Sequence, residues 1–420
     1  MPTQTAETVE TAPRNEWREG WPLVLTAALG CAFAASHAVT MGAFIGPLTA
    51  EFGWSRGEVT AGISFGALGS IFLIPALGPI VDRIGARKIG LIGPPAYAIG
   101  LLLISLCGPS IYGWYAAWIA MAILSLFISP LVWTMAVASR FEKSRGLALA
   151  FVLAGMSVGA AIFPLAAATL IENFGWRVAY RVNALAALVI VLPLALAFLR
   201  DARDIRATKT DLPDTPEVDV PGLTLREALR TRAFWQIIAM LALVAGVYNA
   251  IYQHFQPMMT DAGMTAIEAA AIAGIIGPVS FAARLFTGYL LDRFSPSLVA
   301  AFAFAVPILS CLLLIGFDGN PVIAGIAIAC CALASGAEID MIAYLGARYF
   351  GMRNYGAIYG FIFAGHTLGW ALFPPLVGAM FDRSGSYDTA LIIMAALLVV
   401  AVLLAALLGK PEKHDISHQI

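Results

Sequence analysis

Apolar residues run in blocks along nearly the whole chain, and polar residues gather in short gaps between the blocks. An apolar run of about 20 residues crosses the hydrocarbon core of a bilayer as an α-helix. A helix suits that setting because it satisfies its own backbone hydrogen bonds. The pattern predicts twelve helices, at about 22–48, 58–80, 88–107, 111–137, 146–171, 178–199, 234–258, 267–291, 297–317, 321–346, 355–380 and 387–409. One long polar stretch interrupts the series. It reads DARDIRATKTDLPDTPEVDVPG, followed by LTLREALRTRAF, which has the pattern of a surface amphipathic helix. The fold class expected is therefore an all-α membrane protein, with twelve transmembrane helices in two six-helix halves. The domains are a tail (1–21), a first half (22–200), a central loop (201–233), a second half (234–409) and a second tail (410–420).

Composition agrees: 60% of the 420 residues are hydrophobic and only 12% are charged, against about 25% charged in a soluble domain. The net charge of −1 says little, whereas the placement of charge says a great deal. With both termini inside, 20 of the 25 lysines and arginines fall on inner segments and four (Arg56, Arg177, Arg181, Arg383) on outer ones. Positive charge stays on the cytoplasmic side, so both ends are expected there. The remaining cation, Arg284, lies inside a helix. The first tail has no basic start or cleavage site, so no cleavable signal is expected. The five cysteines (Cys31, Cys107, Cys311, Cys330, Cys331) lie in or beside apolar spans without metal spacing, as small packing residues do.

The two halves repeat at an offset of 210 residues. Gly53, Gly78 and Asp82-Arg83 correspond to Gly263, Gly288 and Asp292-Arg293. Gly155, Gly159, Phe163-Pro164 and Gly175 correspond to Gly365, Gly369, Phe373-Pro374 and Gly385. Repeated halves around a central site are the trace of a secondary transporter.

GPIVDRIGARKIG (78–90) resembles the signature loop of the major facilitator superfamily, G-x-x-x-D-R-x-G-R-R/K, with Ala86 as an added residue before Arg87-Lys88. The resemblance covers about residues 20–410 and implies the major facilitator fold. RFEKSRGLALAFVLAGMSVG (140–159) is similar to the motif that opens the fifth helix of monocarboxylate transporters, except that Phe151 stands near a preferred glycine. GAEIDMIAYLGARYFGMRNYGAIYG (336–360) looks like bacterial members of that group and of the oxalate/formate antiporters. In those relatives an arginine of the eighth helix, eight residues before the loop acid, contacts the substrate carboxylate. Arg284 holds that place relative to Asp292. A lysine of the eleventh helix in the antiporter corresponds to Ile362 here, and His366 lies one turn further on the same face. The bacterial relatives also imply an inner (plasma) membrane location. Asp82, Arg83, Arg87, Asp292 and Arg293 would form, by resemblance, a latch on the cytoplasmic side.

A mid-helix arginine costs about 2.5–3.5 kcal/mol on insertion scales, so it turns to a cavity or partner. Three roles fit Arg284: a carboxylate ligand, a structural ion pair, and snorkelling to the interface. The guanidinium fork grips a carboxylate with two parallel hydrogen bonds, and binding is the preferred role. Ser280, one turn earlier, joins it as a substrate contact. Glu338 and Asp340, on the tenth helix, point about 200° apart. Each is a partner for Arg284 in the empty protein, a proton carrier, or a structural latch with Arg348 or Arg353. Histidine titrates near neutral pH, which adds His37 as a coupling group and His254 and His366 as substrate contacts. Each of the three is otherwise a packed hydrogen bonder. YNAIYQHFQP (248–257) is the most polar helical segment, and Asn249 within it is a substrate candidate. Tyr359 is a further contact; like Tyr344 it also suits a gate or plain packing. Gly42, Gly46-Pro47, Gln256-Pro257 and Gly277-Pro278 mark bends or helix ends.

The expected function is secondary active transport of a small organic monocarboxylate, proton-coupled, with Arg284 on the carboxylate. The partners are that carboxylate, protons and the bilayer. Alternatives are a carboxylate antiporter, an exporter of an amphipathic or aromatic compound, and a non-transporting sensor, which the short termini count against. An enzyme is not expected, for no nucleophile–base pair or metal cluster is visible. A G-x-x-x-x-G-K-S/T loop is missing, so no attached ATPase is expected. No cofactor, metal or nucleic acid is implied.

Overall fold

Glycines, prolines and capping side chains decide where the apolar blocks become separate helices. The computed structural model describes residues 16–138, 140–141, 144–199, 222–291, 293–351 and 353–409, without the side chains of 72, 74–80, 82, 83, 145, 339 and 340. The first half comprises α1 (Glu16–Val39), α2 (Met41–Phe52), α3 (Arg56–Ile84), α4 (Ala86–Ser105), α5 (Ile111–Ser125), α6 (Pro130–Ala138), α7 (Arg145–Phe174), α8 (Trp176–Ala186) and α9 (Leu192–Phe198). The second comprises α10 (Leu225–Ala228), α11 (Arg232–Asp261), α12 (Ala266–Ala273), α13 (Ile276–Leu291), α14 (Pro296–Leu314), α15 (Pro321–Phe350), α16 (Tyr355–Ser384) and α17 (Asp388–Ala406). Among the described residues, eleven helical stretches are long and apolar enough to cross a membrane, and α3 is a further helix of 29 residues.

Several expected helices differ in detail. The crossing expected at 22–48 is interrupted at Thr40, whose hydroxyl bonds back to the Ser36 carbonyl at 2.8 Å. The one expected at 111–137 passes through a 3-10 turn, Leu126–Ile128, before Pro130 begins α6. The one expected at 267–291 is two helices, α12 and α13, parted at Gly274 and Ile275. LTLREALRTRAF forms one turn, α10, set by a Thr224–Glu227 capping box, and Thr231 then caps α11.

Local geometry repeats with the 210-residue offset of the sequence. Gly53 and Gly263 take φ of 70° and 90°, and Gly175 and Gly385 take 81° and 70°. A side chain is strained in that left-handed region. A Ser55–Glu58 capping box starts α3, and a Thr265–Glu268 box starts α12. Gly159 on α7 packs on the backbone of Ala32 in α1; Gly369 on α16 packs on Ala242 in α11. Small residues let helix backbones approach in lipid, where Leu gains little by leaving the chains.

The buried side chains form two clusters. One runs from Leu23 to Leu199 and the other from Ala228 to Leu408, with Ala160 added from the first half. Between them, α3 lies along α16, α2 against α11, and α7 against α12 and α13. Large apolar side chains such as Ile392, Leu403, Ile162 and Leu196 remain exposed on the outside, as expected of a lipid-facing surface.

Candidate functional site

The site begins where α13 and α15 touch. Gly336 has no side chain, and its face meets the Ser280 carbonyl and the Ala283 methyl. Further along the same two helices, the Tyr344 hydroxyl donates to the Leu291 carbonyl at 3.2 Å. The helices therefore run in the same direction. Arg284 is one residue beyond Ala283 and Glu338 two beyond Gly336, so a helical rise of ~1.5 Å per residue sets them at one depth. Arg284 is half-buried.

Hydroxyl groups tie this level together. The Ser280 hydroxyl donates to the Ala332 carbonyl at 3.1 Å and stands 3.1 Å from Ser335 Oγ. Tyr252 of α11 reaches the same Ser335 at 2.9 Å. One turn before Ser280, Gly277 meets Ser157 and Ala161 of α7, which brings the first half against α13.

Glu338 is fully buried, and His366 of α16 comes to it across the helix interface, with Nε2 3.4 Å from Oε2. The His366 side chain is 8% exposed. Tyr248 of α11 lies beside Glu338. Spacings of three and four residues place Tyr355, Tyr359, Phe363 and His366 along one face of α16. Phe363 stacks on His366 at 5.4 Å and on Tyr359 at 6.0 Å, and Tyr355 follows at 5.8 Å. This column fixes the imidazole plane at the end of an aromatic row.

The other residues singled out in the sequence lie elsewhere. Asn249 donates to the Trp370 carbonyl at 2.7 Å, joining α11 to α16. His254 is fully buried with both ring nitrogens engaged: Nδ1 is 3.1 Å from the Tyr387 hydroxyl and Nε2 2.8 Å from the Pro374 carbonyl. A carbonyl only accepts, so Nε2 carries the proton and Nδ1 accepts from Tyr387. His37 meets Tyr97 and Trp118 inside the first half. Tyr97 in turn contacts Ser36 at 2.6 Å, and Asn183 donates to Ser36 at 2.9 Å. Arg293 places its guanidinium 4.3 Å over the Tyr289 ring. Arg87 is half-buried near the start of α4. The side chains of Asp82, Arg83 and Asp340, and all of Asp292, lie outside the described residues.

A second cluster was not singled out in the sequence. At the start of α3, Arg56 Nη2 pairs with Asp261 at 2.7 Å and Nη1 donates to the Tyr387 hydroxyl at 2.8 Å. Its guanidinium sits 4.0 Å over the Phe381 ring. The Asp382 carboxylate accepts from the backbone N–H groups of Arg56 and Gly57 at 3.1 and 3.0 Å. A carboxylate at a helix N-terminus meets unsatisfied donors and the positive end of the dipole. One turn of the first half thus grips α11, α16 and the start of α17. The sequence signal was faint: two aspartates beside the paired glycines Gly263 and Gly385, and an isolated arginine on a segment expected outside.

A family model described as Major Facilitator Superfamily matches residues 26–374. The chain is 25% identical over 276 residues to monocarboxylate transporter 11 of Homo sapiens, covering 62% of this chain and 55% of that one. It is 23% identical over 408 residues to a gallate transporter of Pseudomonas putida, covering 85% and 87%. The crystal structure of a mutant of the nucleoside transporter NupG superposes with a TM-score of 0.76 at 13% identity, covering 93% of this chain and 99% of that one.

Proposed function

We propose a substrate from a fixed premise: the chain belongs to the Major Facilitator Superfamily. It is an integral membrane transporter of small molecules and not an enzyme. The reading the site supports best is secondary transport of a small organic monocarboxylate with Arg284 as its ligand. The observation that carries it is position: Arg284 sits within α13, level with a buried Glu338–His366 pair and two helical turns from the α7 contact at Gly277. An arginine held at that depth suits a carboxylate brought into the cavity. A monocarboxylate transporter and a gallate transporter among its relatives are in keeping with this, since gallate is itself an aromatic monocarboxylate.

Transport then proceeds by alternating access, with residues 22–200 rocking against 234–409 about the 201–233 loop. Both termini are cytoplasmic and the membrane is a bacterial inner membrane. The Arg56 cluster closes the outer end in this conformation. Asp82, Arg83, Arg87, Asp292 and Arg293 supply the opposing inner latch. The substrate enters with a proton, for which Glu338, Asp340 and the histidines are the titratable candidates.

The test is uptake of labelled formate, lactate, pyruvate and benzoate into proteoliposomes, with and without an inward proton gradient. Uptake of at least one is expected. Arg284→Ala and Arg284→Lys should lower it by roughly a hundredfold, the loss of a charged bidentate contact, with normal thermal stability. Normal uptake by Arg284→Ala, or transport of neutral compounds alone, overturns the reading.

A further inference from the structure

We propose that Glu338 and His366 form one shared proton site, and that this pair couples a proton to each monocarboxylate; the inference rests on the reading of Arg284 given above. The pair is an unusual object in a membrane interior. Two titratable groups from different helices stand 3.4 Å apart, with side chains 0% and 8% exposed. Phe363 holds the imidazole plane by stacking.

The reason for a pair is charge. With one proton the pair is neutral, whether written as imidazolium–carboxylate or as imidazole–carboxylic acid. Without it the pair carries −1. A monocarboxylate reaching Arg284 also adds −1 to the same level of the cavity. Entry of both proton and anion leaves the net charge of the site unchanged, while entry of either alone changes it by one. Reorientation passes through a state in which the cavity is enclosed, and enclosing an uncompensated charge is costly. The carrier therefore moves fully loaded or empty. The proton binds from water onto Glu338 Oε or His366 Nε2, and leaves from the same atoms to water on the other side. No other bond changes.

The surroundings favour this pair over the other titratable groups. From α11, Tyr248 and Tyr252 stand near Glu338. From α13 comes Arg284. The α14 helix carries no charged residue, and α12 carries Glu268 alone, used in its N-terminal capping box. His254 has both nitrogens engaged in the packing of α11, α16 and Tyr387. His37 lies in the first half beside Tyr97.

Glu338→Gln separates coupling from binding. Without the carboxylate a protonated His366 would be a buried, unpaired charge, so the imidazole stays neutral; the loaded carrier still crosses but the empty one carries an extra positive charge. In proteoliposomes with labelled pyruvate and benzoate, exchange of internal for external substrate should persist and lose its pH dependence. Net uptake should fall roughly tenfold or more, the effect of enclosing one charge, and stop responding to a proton gradient. Glu338→Asp should restore that response. In detergent, wild-type protein should take up protons from a dye-monitored solution when pyruvate or benzoate is added. Gradient-driven net uptake by Glu338→Gln overturns the inference, as does the loss of both exchange and net uptake in folded protein. Absence of proton uptake by the wild type on substrate binding also overturns it. So does an uncoupled phenotype in Asp340→Asn with normal coupling in Glu338→Gln. If the wild type carries none of the carboxylates, the monocarboxylate reading itself fails; if it carries one and Glu338→Gln remains coupled, only the pair fails.

Discussion

At the scale of single residues, an ionisable group in the membrane takes its meaning from what stands within a few ångströms. His254 and His366 look alike in the sequence, each the one histidine of its membrane helix. In the structure His254 ends a chain of hydrogen bonds: Arg56 donates to Tyr387, Tyr387 to His254, and His254 to the Pro374 carbonyl. His366 instead faces a carboxylate. Replacing each should separate the two roles. His254→Phe leaves a buried carbonyl and hydroxyl without their partner, a loss of about 1–3 kcal/mol. It should lower the melting temperature of purified protein while gradient-driven uptake keeps its pH profile. His366→Phe should alter that profile.

At the scale of elements, the halves approach closely enough for backbone to meet backbone. A Cβ at Gly57 would stand 2.9 Å from the Ala379 nitrogen, and one at Gly378 would stand 2.6 Å from the Gly57 nitrogen. The closeness of α3 and α16 also lets Asp382 reach the two amides at the start of α3. Gly57→Val should wedge the helices apart, and Arg56→Ala should remove the grip on Asp261 and Tyr387. Spin labels at positions 58 and 383 report either event. A longer distance population is expected in both variants, with uptake reduced several-fold, because a carrier that no longer closes at this end leaves half its cycle incomplete. An unchanged distance distribution in Arg56→Ala removes the latch role.

At the scale of the whole molecule, the repeat and the charge bias make separate statements. The repeat concerns geometry, and paired glycines with positive φ, paired capping boxes and paired close approaches carry it at one offset. The bias concerns orientation. Asp318 and Arg353 are both exposed and fall at opposite ends of α15 and its loops. In intact cells, a membrane-impermeant thiol reagent should label Asp318→Cys and spare Arg353→Cys until the membrane is broken. The five native cysteines are buried, so background labelling is low. The reverse pattern would place both termini outside.

The sequence by itself determined the class of fold, the apolar helices and the 210-residue repeat. Each depends on composition or on short-range pattern: block length against bilayer thickness, and glycines where the chain turns. It also located Arg284 and Glu338 as costly charges within apolar runs, because cost can be read one residue at a time. Only the tertiary structure decided partners. Glu338 and His366 are 28 positions apart on different helices, and their meeting depends on how α15 and α16 rotate about their axes. Arg56 lies 205 residues from Asp261 and 331 from Tyr387. Its grip exists because the start of α3 is packed against α16 closely enough for glycine alone. Contacts of that kind leave no periodic mark along the chain, so the Arg56 cluster had to be seen rather than read.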